Sequence, residues 1–425
     1  MSHRAGAPLA FTALPEEILL HTLTYVSESL EDTLAVSITC KKLNRIMRPL
    51  LYGTVLISPR KASSELGPVD AQATMDSLLS QVNLIAPYIQ HFGLCKAEPA
   101  LDLSREISRE RVTEDLMLIL AKIPPGQLRS LRWDGNFSYP ESIAEHLQTY
   151  QKNLETLIID LWCNTSYQDP KKVKFSLDIF AFRNVRHLCL YSSSMPFSNV
   201  QWLLANISKL LINLKTLAVM RSNRGYHLWT STQPTDEGIY SRSRTSFEII
   251  YPFLETLACD DDDFGSQLPH HLGLESISQF PNLRSLYSRL CLSSRWLSNF
   301  DPKVPILLTT LEVQDCIMTV LSKFLLAFQG LVNLDIAVSP GEDYLDDAPI
   351  LHHAATLKRL VLWKTGRFGR SNQGLMPIPL PLMRSLGKGL ERLQEFCALI
   401  PQATWTARSG FYPKASLDPT NKTND

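Results

Sequence analysis

The sequence predicts an α/β chain in which three short helices lead into a solenoid of strand-and-helix repeats, with a parallel sheet on the concave face and helices on the convex one. Two patterns carry that expectation. Residues 13–57 hold three consecutive apolar runs at helical spacing. From residue 89 to residue 395 one motif recurs: an aliphatic residue, two others, an aliphatic, one other, an aliphatic. Self-similarity at a period of tens of residues is the mark of stacked repeats, because no unit can bury its apolar face alone.

At 425 residues the chain is long enough for a small domain and an elongated array. Lys+Arg and Asp+Glu both count 42, so no global field draws it to nucleic acid or to a membrane. The eight cysteines, Cys40, Cys95, Cys163, Cys189, Cys259, Cys291, Cys316 and Cys397, include no CxxC pair. Scattered in this way they read as small buried apolar residues of a reducing compartment. Residues 1–13 lack a basic stretch followed by an apolar one, and no run approaches a membrane span in length. The sequons at Asn136, Asn164, Asn206 and Asn421 then read as chance matches. A cytoplasmic or nuclear location is expected.

The first helix follows Pro15, which suits a position whose N–H has no partner, and Glu16 and Glu17 favour its positive end. Leu14, Ile18, Leu19, Leu23 and Val26 are expected to form one apolar face. A second helix is expected over 31–39, with Leu34, Val36 and Ile38 available for burial, and a third over 41–52, carrying Leu43, Ile46, Met47, Leu50 and Leu51. Three helices in so few residues make a very small core, of the kind a partner or neighbouring domain completes.

The segments LPEEILLHTLTYV and LEDTLAVSITCKKLNRIMRPLLYGTV resemble the F-box motif. The matching features are Leu14-Pro15, Glu17-Ile18-Leu19, Leu34 and Val36, Cys40 before Lys41-Lys42-Leu43, and Leu51-Tyr52. The segment 39–43 lacks an aromatic residue that many members carry, and Tyr52 stands where Trp is frequent. The resemblance covers about a tenth of the chain and implies docking onto a Skp-family adaptor, which bridges to a cullin scaffold. By position it assigns adaptor contact to Leu14, Pro15, Ile18, Leu19, Leu34, Leu43, Leu51 and Tyr52. The bland alternative is an amphipathic three-helix cap with no adaptor.

The recurring motif resembles the L-x-x-L-x-L signature of leucine-rich repeats. It reads Ile89/Phe92/Leu94, Leu128/Leu131/Trp133, Leu154/Leu157/Ile159, Val185/Leu188/Leu190, Leu214/Leu217/Val219 and Leu254/Leu257/Cys259. It continues as Leu283/Leu286/Ser288, Leu308/Leu311/Val313, Leu331/Leu334/Ile336, Leu357/Leu360/Leu362 and Leu390/Leu393/Glu395. The last two residues of each triplet are two apart, so on a strand both point to the buried face. Small polar residues or Cys often follow, as Asn136, Ser193, Ser222, Cys291, Cys316, Ser339 and Thr365, where the family's Asn/Cys position turns the chain. Helix-period stretches lie between the strands, among them PESIAEHLQTY, SNVQWLLANISKLL and MTVLSKFLLAFQGL, and TMDSLLSQVNLIAPYIQHFGL precedes the main array.

The expected organisation is therefore a disordered stretch over 1–12, the F-box helices over 13–57, a linker helix region over 58–86, and the array over 87–403. Loops interrupt the array near 223–246 and 367–381, and 404–425 form a tail.

Catalytic signatures are lacking: there is no GxSxG, P-loop, GxGxxG, HExxH or EF-hand pattern. The acidic run Asp260–Asp263 and the pairs His270-His271 and His352-His353 are the only metal-like features, and they are expected to be solvated charges and surface histidines. Neither catalysis nor a cofactor or metal is expected. Residues alternating with the buried aliphatics should face the inside of the arc. They include Arg132, Asp134, Asp160, Tyr191, Asp260, Tyr287, Arg289, Glu312, Gln314, Asp335, Arg359 and Trp363. Their mixture of aromatic and charged groups suits a protein reader, and the substrate contacts are assigned to Arg132, Asp160, Tyr191, Tyr287, Arg289, Glu312, Gln314 and Trp363. The expected function is substrate recognition for a cullin-RING ubiquitin ligase of the SCF type, with an unknown protein substrate. The alternative is a non-degradative scaffold built on the same two modules.

Overall fold

A computed structural model describes residues 11, 14–25, 29–57, 71–94, 109–133, 139–160, 182–191, 207–220, 251–260, 280–288, 305–314, 317–338, 345–364 and 379–398. The chain divides into two compact units, Met1–Leu254 and Glu255–Asp425. Of the expected disordered stretch only Phe11 is described, and its carbonyl accepts the Leu14 N–H. The loop near 223–246 and the tail over 404–425 lie outside the described residues.

The first unit opens with helices α1 (Glu16–Thr24), α2 (Leu30–Thr39) and α3 (Lys41–Tyr52). Ser29 caps α2 by accepting the Asp32 N–H at 3.3 Å, and Glu31 and Asp32 complement the start of that helix. Cys40 does the same for α3, its sulfur accepting the Leu43 N–H at 3.5 Å. Helix α3 packs on both α1 and α2. Leu19, Leu23, Leu43, Ile46 and Met47 form the shared core, with Leu14, Val36, Cys40, Leu50 and Leu51 packed around it. Cross-links reinforce it: Lys42 Nζ donates to the Leu14 carbonyl at 2.9 Å, and Asn44 Nδ2 to the Ser37 carbonyl at 3.3 Å. Arg45 pairs with Glu16 on the surface.

Strands follow in order. The first unit holds β1 (Thr54–Ile57), β2 (His91–Leu94), β3 (Ser130–Trp133), β4 (Thr156–Asp160), β5 (His187–Tyr191) and β6 (Thr216–Met220). The second holds β7 (Thr256–Asp260), β8 (Ser285–Ser288), β9 (Thr310–Gln314), β10 (Asn333–Val338), β11 (Arg359–Lys364) and β12 (Glu395–Ala398). Within each unit the strands are parallel and ordered as in the sequence, which makes an α/β repeat fold. The described helices of the array are α4 (Ala71–Ile85), α5 (Arg109–Lys122), α6 (Glu141–Tyr150), α7 (Met318–Leu326), α8 (Asp347–Leu351) and α9 (Leu380–Gly389). Residues 207–210 are also helical, and residues 198–206 are not described. Helix α9 begins inside the predicted second loop, because Pro379 and Pro381 fit a first helical turn.

The sheet begins earlier than the sequence suggested. Val55 pairs in register with Phe92 and Ile57 with Leu94, so β1 is already a repeat strand. Its residues are the last four of the segment read as purely helical. Gly53 joins α3 to β1, where a Cβ would stand 2.5 Å from the Pro49 carbonyl oxygen, so only glycine passes without displacement.

Ten of the eleven predicted triplets are buried in full. The last is framed three residues too early. Leu360 pairs with Phe396 and Leu362 with Ala398, so the true triplet is Leu393/Phe396/Ala398, while Glu395 is exposed. Leu390 occupies a different position, three residues before the triplet, where Phe182, Leu211, Tyr251, Phe280 and Phe328 sit buried in other repeats. A leucine there mimics the start of L-x-x-L. The residues expected at the Asn/Cys turn, Asn136, Ser193, Ser222, Cys291, Cys316, Ser339 and Thr365, lie outside the described residues.

One backbone device repeats at ten strand entrances, those of β2 to β6 and β8 to β12. The residue before a strand offers one carbonyl to two consecutive amides of the next strand, at 2.7–3.1 Å. In the first unit the accepting carbonyls belong to Gly53, Gln90, Arg129, Glu155 and Arg186. In the second they belong to Glu255, Arg284, Thr309, Val332 and Lys358. A side-chain ladder runs alongside: Asn153 donates to the Gly126 carbonyl at 2.9 Å, Asn184 to Lys152 at 2.6 Å, and Asn213 to Arg183 at 3.2 Å. Each asparagine directly precedes a buried aliphatic, in KNL, RNV and INL, a signal present in the sequence and missed. Gly126 has φ +73°, a left-handed turn that suits glycine.

Gln151 replaces the buried apolar residue of its repeat. It is 1% exposed, accepts the Leu128 N–H at 3.0 Å, and donates to the Ile123 and Pro124 carbonyls at 3.3 and 3.2 Å. Gln151→Leu would fill the same space and leave that N–H unpaired beside two weakened acceptors. The expected cost is about 3 kcal/mol, read as a lower urea midpoint and faster exchange of the Leu128 amide. An unchanged midpoint would remove Gln151 from this role.

Candidate protein-interaction surface

The three-helix module turns apolar groups outward. Ile18 is 51% exposed, Leu34 47%, Tyr25 69% and Ile38 82%, and Leu20 is exposed with them. Helix α2 is inverted relative to expectation: Thr33 and Ser37 are buried while Leu34 and Ile38, one turn apart, face out. The inversion costs little because the buried hydroxyls bond within the helix. Thr33 Oγ1 donates to the Ser29 carbonyl at 2.7 Å and Ser37 Oγ to the Leu34 carbonyl at 2.8 Å. Val36 alone of the three predicted apolar residues packs against the core.

The predicted adaptor contacts therefore separate into two groups. Pro15, Ile18 and Leu34 are exposed, and Leu14, Leu51 and Tyr52 are half-buried. Leu19 and Leu43 are corrections: they are buried in the core between α1 and α3 and present nothing to a partner. Ile18 and Leu19 are neighbours about 100° apart on a helix, so one faces in when the other faces out. Ile38, Tyr25 and Leu20 were missed. The i, i+4 spacing of Leu34 and Ile38 was the available signal.

On the strands, the outward residues lie in rows set by the register. Tyr287, Glu312 and Asp335 are adjacent across β8, β9 and β10, with Tyr287 exposed and the two acids half-buried. Asp160 and Tyr191 are adjacent across β4 and β5. Arg132 is half-buried one row away, opposite Ile158. Asp160 is a further correction, since it is 1% exposed rather than projecting outward. The alternation of β4 ends at Ile159 and Asp160, which are both buried. Arg359 is exposed and pairs with Glu395 at 3.2 Å. Gln314, Asp260 and Trp363 lie in strands, though their side chains, like Arg289 and Asp134 altogether, are outside the described residues.

No group of three or more potential metal ligands occurs among the described residues. Asp261–Asp263 and His270-His271 fall outside them. The described free cysteines differ from expectation in one case: Cys397 is exposed on β12, while Cys259 is buried and Cys40 and Cys189 are half-buried. Among the described residues no helix is long and apolar enough to cross a membrane.

No protein-family model and no curated protein matches the chain.

His353 also departs from expectation, being 1% exposed rather than on the surface. Its Nε2 donates to the Leu325 carbonyl near the end of α7 at 3.0 Å, and its ring lies 5.0 Å from that of Phe328. Burial, then the neighbouring His352, lowers its pKa from 6.5 to about 4, against the pull of the Leu325 hydrogen bond. A folded value below the unfolded one means the unfolded chain takes up the proton first as pH falls. The stability tied to neutral His353 is complete above pH 6.5 and is lost as pH falls toward about 4. The loss is at most about 3 kcal/mol. His353→Gln keeps a donor without the titration, so its urea midpoint should be flatter across this window than that of the wild type. Parallel pH profiles would exclude His353 as the source.

Proposed function

We propose that this chain is the substrate-recognition subunit of an SCF-type cullin-RING ubiquitin ligase. In this reading α1 and α2 hold a Skp-family adaptor, and the repeat array holds a protein substrate. The observation that supports it is the outward apolar face of α1 and α2. Ile18, Leu34 and Ile38 lie exposed on a module whose own core is closed by Leu19, Leu23, Leu43, Ile46 and Met47. A soluble module gains nothing by facing isoleucine and leucine to water while burying threonine and serine, unless another surface covers them. The resemblance of residues 14–52 to the F-box motif supplies the identity of that surface.

The chain itself performs no covalent step in this scheme. It raises the effective concentration of the substrate beside a ubiquitin-charged enzyme held by the same cullin. Strand residues such as the exposed Tyr287 and the half-buried Glu312 and Asp335 beside it offer the aromatic and charged groups common in protein interfaces.

The full chain, tagged and expressed in cells, is expected to co-purify with a Skp-family adaptor and a cullin. Ile18→Asp with Leu34→Asp should weaken capture more than about 100-fold, since each apolar side chain covered contributes roughly 1.5–3 kcal/mol. Both residues are exposed, so the melting temperature should hold and serve as the folding control. Failure of the wild type to capture any adaptor defeats the proposal. A captured adaptor with no client whose ubiquitylation or lifetime changes on deletion would favour the non-degradative scaffold.

A further inference from the structure

The charges of the first unit are segregated at the entrance edge of its strands. The backbone forks place Arg129, Glu155, Arg186 and Lys215 in one row, one per strand from β3 to β6. The asparagine ladder places Lys152 and Arg183 side by side in the turn before it. Lys152, Arg129, Arg183 and Arg186 are exposed. The row and turn together carry five cations and one acid on a chain whose formal charge is zero. The same positions of the second unit are balanced: Glu255, Arg284 and Lys358 in the row, Glu391 in the turn.

We propose that this edge binds an acidic segment of a partner protein. The arrangement already holds one carboxylate, Glu155, whose Oε1 lies 2.9 Å from Arg129 Nη1. The next strand offers Arg186 and, in the turn before it, Arg183, so Glu155 is the one acid set among the five cations of the row and turn. Four parallel strands span about 14 Å, which an extended peptide crosses in roughly four residues. Alternate acidic side chains of such a peptide reach the row and the turn. Arginine favours this partner, because its planar fork pairs with carboxylates in two parallel hydrogen bonds. Nucleic acid is less suited: among the described residues of the row and turn no aromatic side chain interleaves the cations to stack on a base.

The competing account is local. Helix α6 ends at Tyr150, just before Lys152, and a cation there offsets the negative end of the helix dipole. That account does not reach Arg186, which stands at the entrance of β5.

In the ligase reading this edge names the substrate class, an acidic segment, yet peptide binding does not depend on the adaptor. The test uses the full chain and a fluorescein-labelled poly-glutamate peptide, followed by anisotropy at low and physiological ionic strength. The wild type should bind with a steep salt dependence, and Lys152→Glu/Arg183→Glu/Arg186→Glu should weaken binding about tenfold or more. The neutral variant Lys152→Gln/Arg183→Gln/Arg186→Gln should weaken it less, and covers the case in which reversal impairs folding. Arg284→Glu/Lys358→Glu in the second unit and Ile18→Asp/Leu34→Asp on the helices should bind as the wild type does. The last result separates this proposal from the adaptor reading. Absence of wild-type binding overturns the proposal. So does an affinity unchanged in both triple variants even if their melting temperatures fall, which would assign the cations to the helix ends alone. Tighter binding of a single-stranded RNA than of the peptide would also overturn it.

Discussion

Parallel strands joined through helices need a device that sets each new strand at the right height beside the last, and here it is the forked hydrogen bond at the strand entrance. One carbonyl receives two consecutive amides of the following strand. This fixes the register, and the register fixes everything on the sheet. A slip of one residue would turn each Leu-x-Leu pair outward and every Thr, Ser or His beside it inward. The asparagine ladder of the first unit repeats the constraint from the turn side, tying Lys152 and Arg183 to the repeats that follow them. Side chains far apart in sequence, such as Arg129 and Glu155, meet because their backbones are held by the same rule.

The buried triplets were legible because they use the two strongest signals a sequence carries: alternation on a strand and repetition along the chain. Where the frame failed, a second apolar position was the cause, since Leu390 looks like a triplet residue until Phe396 is seen opposite Leu360. The outward face of α2 was not legible from composition. Thr33 and Ser37 can be buried because each hydroxyl bonds a carbonyl of its own helix, so either face of α2 was an acceptable inside. His353 was misplaced for a related reason. Its partners, Leu325 and Phe328, come from the preceding repeat, and nothing beside it in the sequence announces them. Asp160 shows that alternation stops being informative at the last residue of a strand.

The two surfaces argued above differ in kind, and the difference follows from what each element must do for the fold. The helical module closes its core with residues of α1 and α3, which frees α2 to expose Leu34 and Ile38. The strand edge has no such freedom in its backbone, where carbonyls and amides are committed to the next repeat. Its side chains at those positions lie outside the buried triplets and are exposed or half-buried, so charge there is free to vary between units. Five cations and one acid in the first unit, against a balanced set in the second, is a choice the fold does not impose.

The join between the helices and the sheet bears on how these surfaces would act together. Tyr52, the last residue of α3, stands three residues before Val55, the place Ile89 holds before Phe92, so the helix ends inside the repeat frame. Gly53 permits that close turn, and its carbonyl is also the first of the forked acceptors, taking the amides of Gln90 and His91 at 2.9 Å each. No linker intervenes between α3 and β1. A flexible connection would let a bound client sample many positions relative to an adaptor, with effective concentration set by linker length. A helix that runs into the first strand removes that freedom. On the ligase reading, a client held at the entrance edge of β3 to β6 is then presented at one orientation to whatever α1 and α2 hold. Accepting lysines on the client would be selected by position as much as by affinity.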